Sequence, residues 1–124
     1  MKVAPATGDA KARALNLALA RIAGHWRFTN DQLGAVLGLS PATASRLKAG
    51  AFHVEPDSKP FELGQYLLRL FRGLDALMGS DDEAAISWLR TPNLDLAGRP
   101  LDLIRTIRGL NEVTDYVDDF RARV

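Results

Sequence analysis

The sequence predicts an all-α protein of about seven helices, and three observations carry that expectation. Apolar residues recur at gaps of three and four, which lines one face of a helix, and no apolar–polar alternation lasts long enough for a strand. Residues that open helices (Ser, Thr, an early Pro) and glycines that close them punctuate these stretches. An apolar content of 47% suffices for a buried core, and 25% charged residues is ordinary. The length of 124 residues fits one domain or two small ones.

The first helix is expected from about Asp9 to Trp26, with Leu15, Leu19, Ile22 and Trp26 in one stripe. Thr29 or Asn30 caps a second, which carries Leu33, Val36 and Leu37 and ends at Gly38. Ser40 caps a third, with Pro41 in its first turn, ending near Gly50. Residues 51–58 are a connector. A long helix follows Ser58, with Leu63, Leu67, Leu70, Leu74 and Leu77 as its stripe. Leu68, Phe71 and Met78 widen that face, so the helix should be buried on two sides, joining front and back halves. A seam between two copies is the other explanation. Gly79 and Ser80 break it, and Ser80 with Glu83 forms a capping box for a helix carrying Ile86, Trp88 and Leu89. Residues 91–100 read as a loop, with Asn93 and Gly98 as turn residues. Pro100 opens a helix through Leu103, Ile104 and Ile107, closed by Gly109 as a left-handed cap. Asn111 caps the last helix, whose stripe is Val113, Tyr116 or Val117, Phe120 and Val124.

Composition excludes several function classes. There is no cysteine, hence no disulfide and no thiolate-held metal; His25 and His53 alone make a metal site unexpected. The opening MKVAPATGDAKAR lacks the apolar run of a signal peptide, and no stretch nears the roughly 18 apolar residues of a membrane span. A cytoplasmic protein with no membrane partner is the expectation. No Gly-rich phosphate loop is present, and the acids at Asp81, Asp82 and Glu83 suit a helix N-terminus. Neither enzyme activity nor a cofactor is therefore expected.

Charge is uneven. Residues 1–55 hold seven Lys or Arg against three acids, a net +4, while residues 80–124 hold six Arg against nine acids, a net −3. A basic front can meet phosphates; an acidic back is repelled by them.

The stretch Gln32–Leu47, QLGAVLGLSPATASRL, fits a helix-turn-helix. With Gly38 as the corner, Gly34 supplies the small residue four before it. Leu33, Leu37, Leu39, Ala44 and Leu47 fill the five positions that must be apolar. A plain helical hairpin is the alternative. In this motif the second helix lies in the major groove. Its outer face is Ser40, Pro41, Ala42, Thr43, Ser45, Arg46 and Lys48. The fork of Arg46 matches the O6 and N7 acceptors of guanine; Ala42 suits a thymine methyl; Thr43 and Ser45 can donate to bases or phosphates. Gln32 and Lys48 are expected on phosphates, although Arg46 and Lys48 also read as solvated surface charge. Two cations are few, so a homodimer setting two such helices a helical turn apart is expected.

The back half carries Trp88-Leu89, Pro92-Asn93, Leu96, Gly98, Pro100-Leu101, Ile104, Thr106, Gly109, Val113 and Tyr116. This pattern resembles the C-terminal toxin-binding domain of Xre/MbcA/ParS-type antitoxins, and the front half looks like the Xre-type DNA-binding domain fused to it. The resemblance covers roughly residues 10–124. It implies an N-terminal helix-turn-helix domain over 1–56 and a toxin-binding domain over 57–124. It implies two partners, a RES-domain toxin that consumes NAD⁺ and operator DNA, and an antitoxin that dimerises, represses its own operon and covers the toxin's cleft. The candidate toxin contacts are Arg99, Tyr116, Asp119, Arg121, Arg123 and Val124, with the terminus as a plug. Trp88 and Phe120 read first as core. A helix-turn-helix regulator with no toxin partner, or an adaptor that binds no DNA, are the competing readings.

Overall fold

The computed structural model describes residues 7–124. Lys2, one of the basic residues of the front half, and the start of the stretch read against a signal peptide lie outside them. Seven helices follow in order: α1 Thr7–His25, α2 Asn30–Leu37, α3 Pro41–Lys48, α4 Lys59–Leu77, α5 Asp82–Arg90, α6 Pro100–Leu103 and α7 Ile107–Ala122. Among the described residues, extended pairing is confined to one bridge between Asn93 and Gly98. No described helix is long and apolar enough to cross a membrane.

α4 is the central element. It packs against α1 and α2 on one side and against α7 and α5 on the other. Leu63, Leu67, Leu70 and Leu74 are all buried within the one chain and form an internal joint, whereas Leu77, the last residue of the stripe, is half-buried. Burying each such leucine contributes about 1.5–3 kcal/mol. Two glycines let the neighbours close in. A Cβ on Gly64 would lie 2.9 Å from Leu19, and one on Gly73 would lie 2.8 Å from Val117. One contiguous core therefore runs from Leu15 in α1 to Val117 in α7. The connector before α4 is tied down by buried Asn16, which donates to the Ala12 carbonyl (2.7 Å) and accepts from the Val54 N–H (2.9 Å).

Three local expectations need correction. The cap of α5 is Asp81, whose carboxylate accepts from the Ala84 N–H at 3.1 Å. Ser80 sits one residue too early, at φ +60°, and its hydroxyl donates to Asp75 instead. Gly109 closes no helix. α6 ends at Leu103; Thr106 caps α7 by accepting from the Gly109 N–H (3.0 Å), so Asn111 lies inside α7 and Ile107 opens it, 57% exposed. Glycine is needed at 109 for clearance: a Cβ there would lie 1.8 Å from the Leu103 carbonyl oxygen. Finally, Val113 and Val117 are the buried stripe of α7, whereas Phe120, read first as core, is 49% exposed, and Val124 is 84% exposed.

Candidate nucleic-acid interface and C-terminal contact face

The α2–α3 corner has the geometry its spacing demands. Gly38 adopts φ +74°, which glycine reaches without a Cβ penalty, and its N–H bonds back to the Gly34 carbonyl. At Gly34 a Cβ would lie 2.4 Å from the Leu39 carbonyl oxygen, so the small residue is a steric requirement of the crossing. Leu33, Leu37, Ala44 and Leu47 are buried, and Leu39 packs partly buried against them. Thr29 caps α2 in a reciprocal box: its hydroxyl accepts from the Gln32 N–H (3.0 Å), and its own N–H donates to Gln32 Oε1 (2.9 Å). The carbonyl of Gln32 is thus spent on the cap, and its amide NH₂ remains for a phosphate.

On α3, Ala42, Ser45 and Arg46 are exposed, and Thr43 and Lys48 are half-buried. Ser40 caps the helix by accepting from the Thr43 N–H at 3.1 Å. Its hydroxyl also donates to Thr43 Oγ1 at 2.9 Å, and Arg46 Nη2 donates to the same oxygen at 3.1 Å. The spacing of residues 40, 43 and 46 puts them one above another on the helix, which allows this chain of contacts.

Ion pairs join front and back. Asp31, in the first turn of α2, accepts from Arg105 (3.2 Å); His25 pairs with Asp82 (2.8 Å) and Arg27 with Glu83. Such exposed pairs contribute about 0–1 kcal/mol each. Their larger effect is on the charge pattern. Arg27 is paired locally, while Arg105 offsets the acid in the first turn of α2. Sequence reasoning missed these pairs, since partners up to 74 positions apart leave no local signal.

The C-terminal candidates do not form one cluster of free groups. Arg99 is held by Asp102 in a two-pronged pair (2.9 and 2.8 Å). The Arg99 hydrogen bonds, then its positive charge, hold the Asp102 carboxyl below its ordinary pKa. Tyr116 donates its hydroxyl to Asp95 (2.9 Å) and stacks with Trp88 at 6.4 Å. Asp119, Arg121, Arg123 and Val124 are exposed along the end of α7. Trp88, expected in the core, is partly buried at its edge. With Leu74, Leu77, Met78, Tyr116, Val117 and Phe120 it lines a groove of about 220 Å³. That groove was not anticipated as a unit, although Leu77 and Met78 marked the extra apolar width of α4. The loop before α6 is shaped as expected: Asn93 and Gly98 exchange backbone hydrogen bonds (2.9 and 3.2 Å), and Asn93 Oδ1 accepts from the Leu96 N–H.

Two family models match the chain. The antitoxin Xre-like helix-turn-helix domain matches residues 6–72. The antitoxin Xre/MbcA/ParS C-terminal toxin-binding domain matches residues 73–123. No curated protein matches.

Proposed function

Because the chain belongs to the antitoxin Xre-like helix-turn-helix family, we propose that it neutralises a RES-domain, NAD⁺-degrading toxin and represses its own operon through α3. The observation that carries this reading is the pairing, in one chain, of a steric helix-turn-helix corner with a match to a toxin-binding domain. The functional division falls at the connector, with residues 1–56 on DNA and 57–124 on the toxin.

In the DNA-bound state α3 lies in the major groove with Arg46 toward guanine, Ala42 toward a thymine methyl, and Thr43 and Ser45 on bases or phosphates. Ser40, Lys48 and the amide of Gln32 meet the backbone. So few cations support weak binding by one copy, because affinity at physiological salt rises with the number of phosphates neutralised. A homodimer placing two α3 helices about 34–36 Å apart supplies the rest.

The toxin meets the end of α7. Tyr116 and Phe120 present an apolar edge, and Asp119, Arg121, Arg123 and Val124 present polar groups and the terminus to the cleft. Arg99 contributes by exchanging Asp102 for a toxin carboxylate. No group on this face carries chemistry of its own; the reading is occlusion. The test is co-expression with a RES-domain, NAD⁺-degrading toxin. The pair should co-purify and cellular NAD⁺ should hold; free toxin with falling NAD⁺ in the presence of this chain refutes the proposal.

A further inference from the structure

From the Ser40–Thr43–Arg46 contacts we infer that Thr43 is a specificity-positioning residue, which holds Arg46 for guanine. The inference rests on the DNA reading above.

A hydroxyl oxygen has two lone pairs and one proton. Thr43 Oγ1 takes a hydrogen bond from Ser40 Oγ and another from Arg46 Nη2. The Arg46 contact holds whichever way the Ser40 and Thr43 hydroxyl protons turn, because a guanidinium has donors only. In the major groove guanine presents two acceptors, N7 and O6, whereas cytosine presents the N4 amino donor. A guanidinium held over the groove therefore favours guanine and disfavours cytosine.

The tether matters because arginine is long and flexible. Free in solvent, its side chain samples many rotamers, and ordering it on a base costs entropy. The contact to Thr43 fixes the guanidinium along the helix while leaving Nε, Nη1 and one Nη2 proton for the base. Ser40 closes the chain: it is anchored as the cap of α3 by the Thr43 N–H, so the tether is fastened to backbone. Among the described residues Arg46 has no carboxylate within ion-pair distance, so base binding breaks no salt bridge.

The test uses the full-length chain and a randomised duplex library, followed by affinities for the selected duplex and for the same duplex with its guanine replaced. Wild type should prefer guanine by about tenfold or more, the scale of a good bidentate contact. Thr43→Val keeps the shape and removes the hydroxyl; its preference should fall below about threefold at unchanged melting temperature. Thr43→Ser should restore it. On an Arg46→Ala background Thr43→Val should change the preference no further, a readout that a purely structural role would not give. Full preference in Thr43→Val, failure of Thr43→Ser to restore it, or a further loss on the Arg46→Ala background overturns the inference. Should Thr43→Val melt early, Thr43→Ala takes its place in both comparisons, since alanine also lacks the hydroxyl and suits a helix. A wild type that retains no duplex from the library fails the DNA reading itself, which is a different outcome from selection without guanine.

Discussion

The α2–α3 corner and the groove beside α7 are both built from packed helices, yet they differ in how far apart their parts lie in the chain. The corner is assembled within sixteen residues, Gln32 to Leu47, and each requirement is met by a neighbour. The groove takes Leu77, Trp88, Tyr116 and Phe120 from three helices, and the orientation of Tyr116 is set by Asp95 in a loop. A reading face made of local contacts keeps its shape through its own sequence. A face made of distant contacts keeps its shape only through the whole core, and α4 carries that dependence.

The largest effect should come from two glycines at tight crossings, one at the corner and one at the α6–α7 junction. Gly109→Ala drives a methyl into the Leu103 carbonyl and Gly34→Ala drives one into the Leu39 carbonyl, and each should lose about 3 kcal/mol or more, as backbone must move. Urea unfolding would measure both; a loss under about 1 kcal/mol in either would show that the crossing has slack. Next is Leu67→Ala in α4, expected to cost about 2–5 kcal/mol. Since one core spans both regions, the unfolding should remain a single transition. Two separate transitions would mean that the regions are stabilised independently, against the single core that joins them.

Smaller and more selective effects sharpen the difference. Arg46→Ala should weaken specific duplex binding by about 1–3 kcal/mol and leave toxin neutralisation untouched. Phe120→Asp should do the reverse, costing about 2 kcal/mol or more of toxin binding if this ring is a central anchor. The smallest effect concerns Asp102. Its carboxyl is held low in the folded chain, so its contribution is present above its ordinary pKa and is lost as pH falls through the lowered value. An NMR titration should place that midpoint below the usual value of about 3.9, and Arg99→Ala should return it there.

The same contrast explains what the sequence made legible. Gly34, Gly38, Ser40 and Leu47 follow a fixed local register, so the corner was readable residue by residue. The all-α class and the two-sided burial of α4 followed from a stripe at gaps of three and four. The junction after α6 was misread because Gly109 carries two meanings in a sequence: a left-handed stop, or clearance for a passing carbonyl. Only the position of Leu103 decides between them. Phe120 fell on the right side of a helical period to be core, but it lies on the rim of the groove and stays 49% exposed. The Arg99–Asp102 pair is local, three residues apart, and was open to the sequence, whereas the Arg27–Glu83 and Arg105–Asp31 pairs were not. Electrostatic partners that meet through tertiary packing leave no periodic trace.

The central claim is that DNA reading and toxin occlusion occupy separate faces of one framework. NAD⁺ measured in cells expressing a RES-domain toxin that the chain is proposed to neutralise tests it most directly, with wild type, Arg46→Ala or Phe120→Asp supplied from a promoter the chain does not control. NAD⁺ should be preserved by wild type and by Arg46→Ala, and should collapse with Phe120→Asp. Collapse with Arg46→Ala, or full protection by a folded Phe120→Asp, would contradict the account.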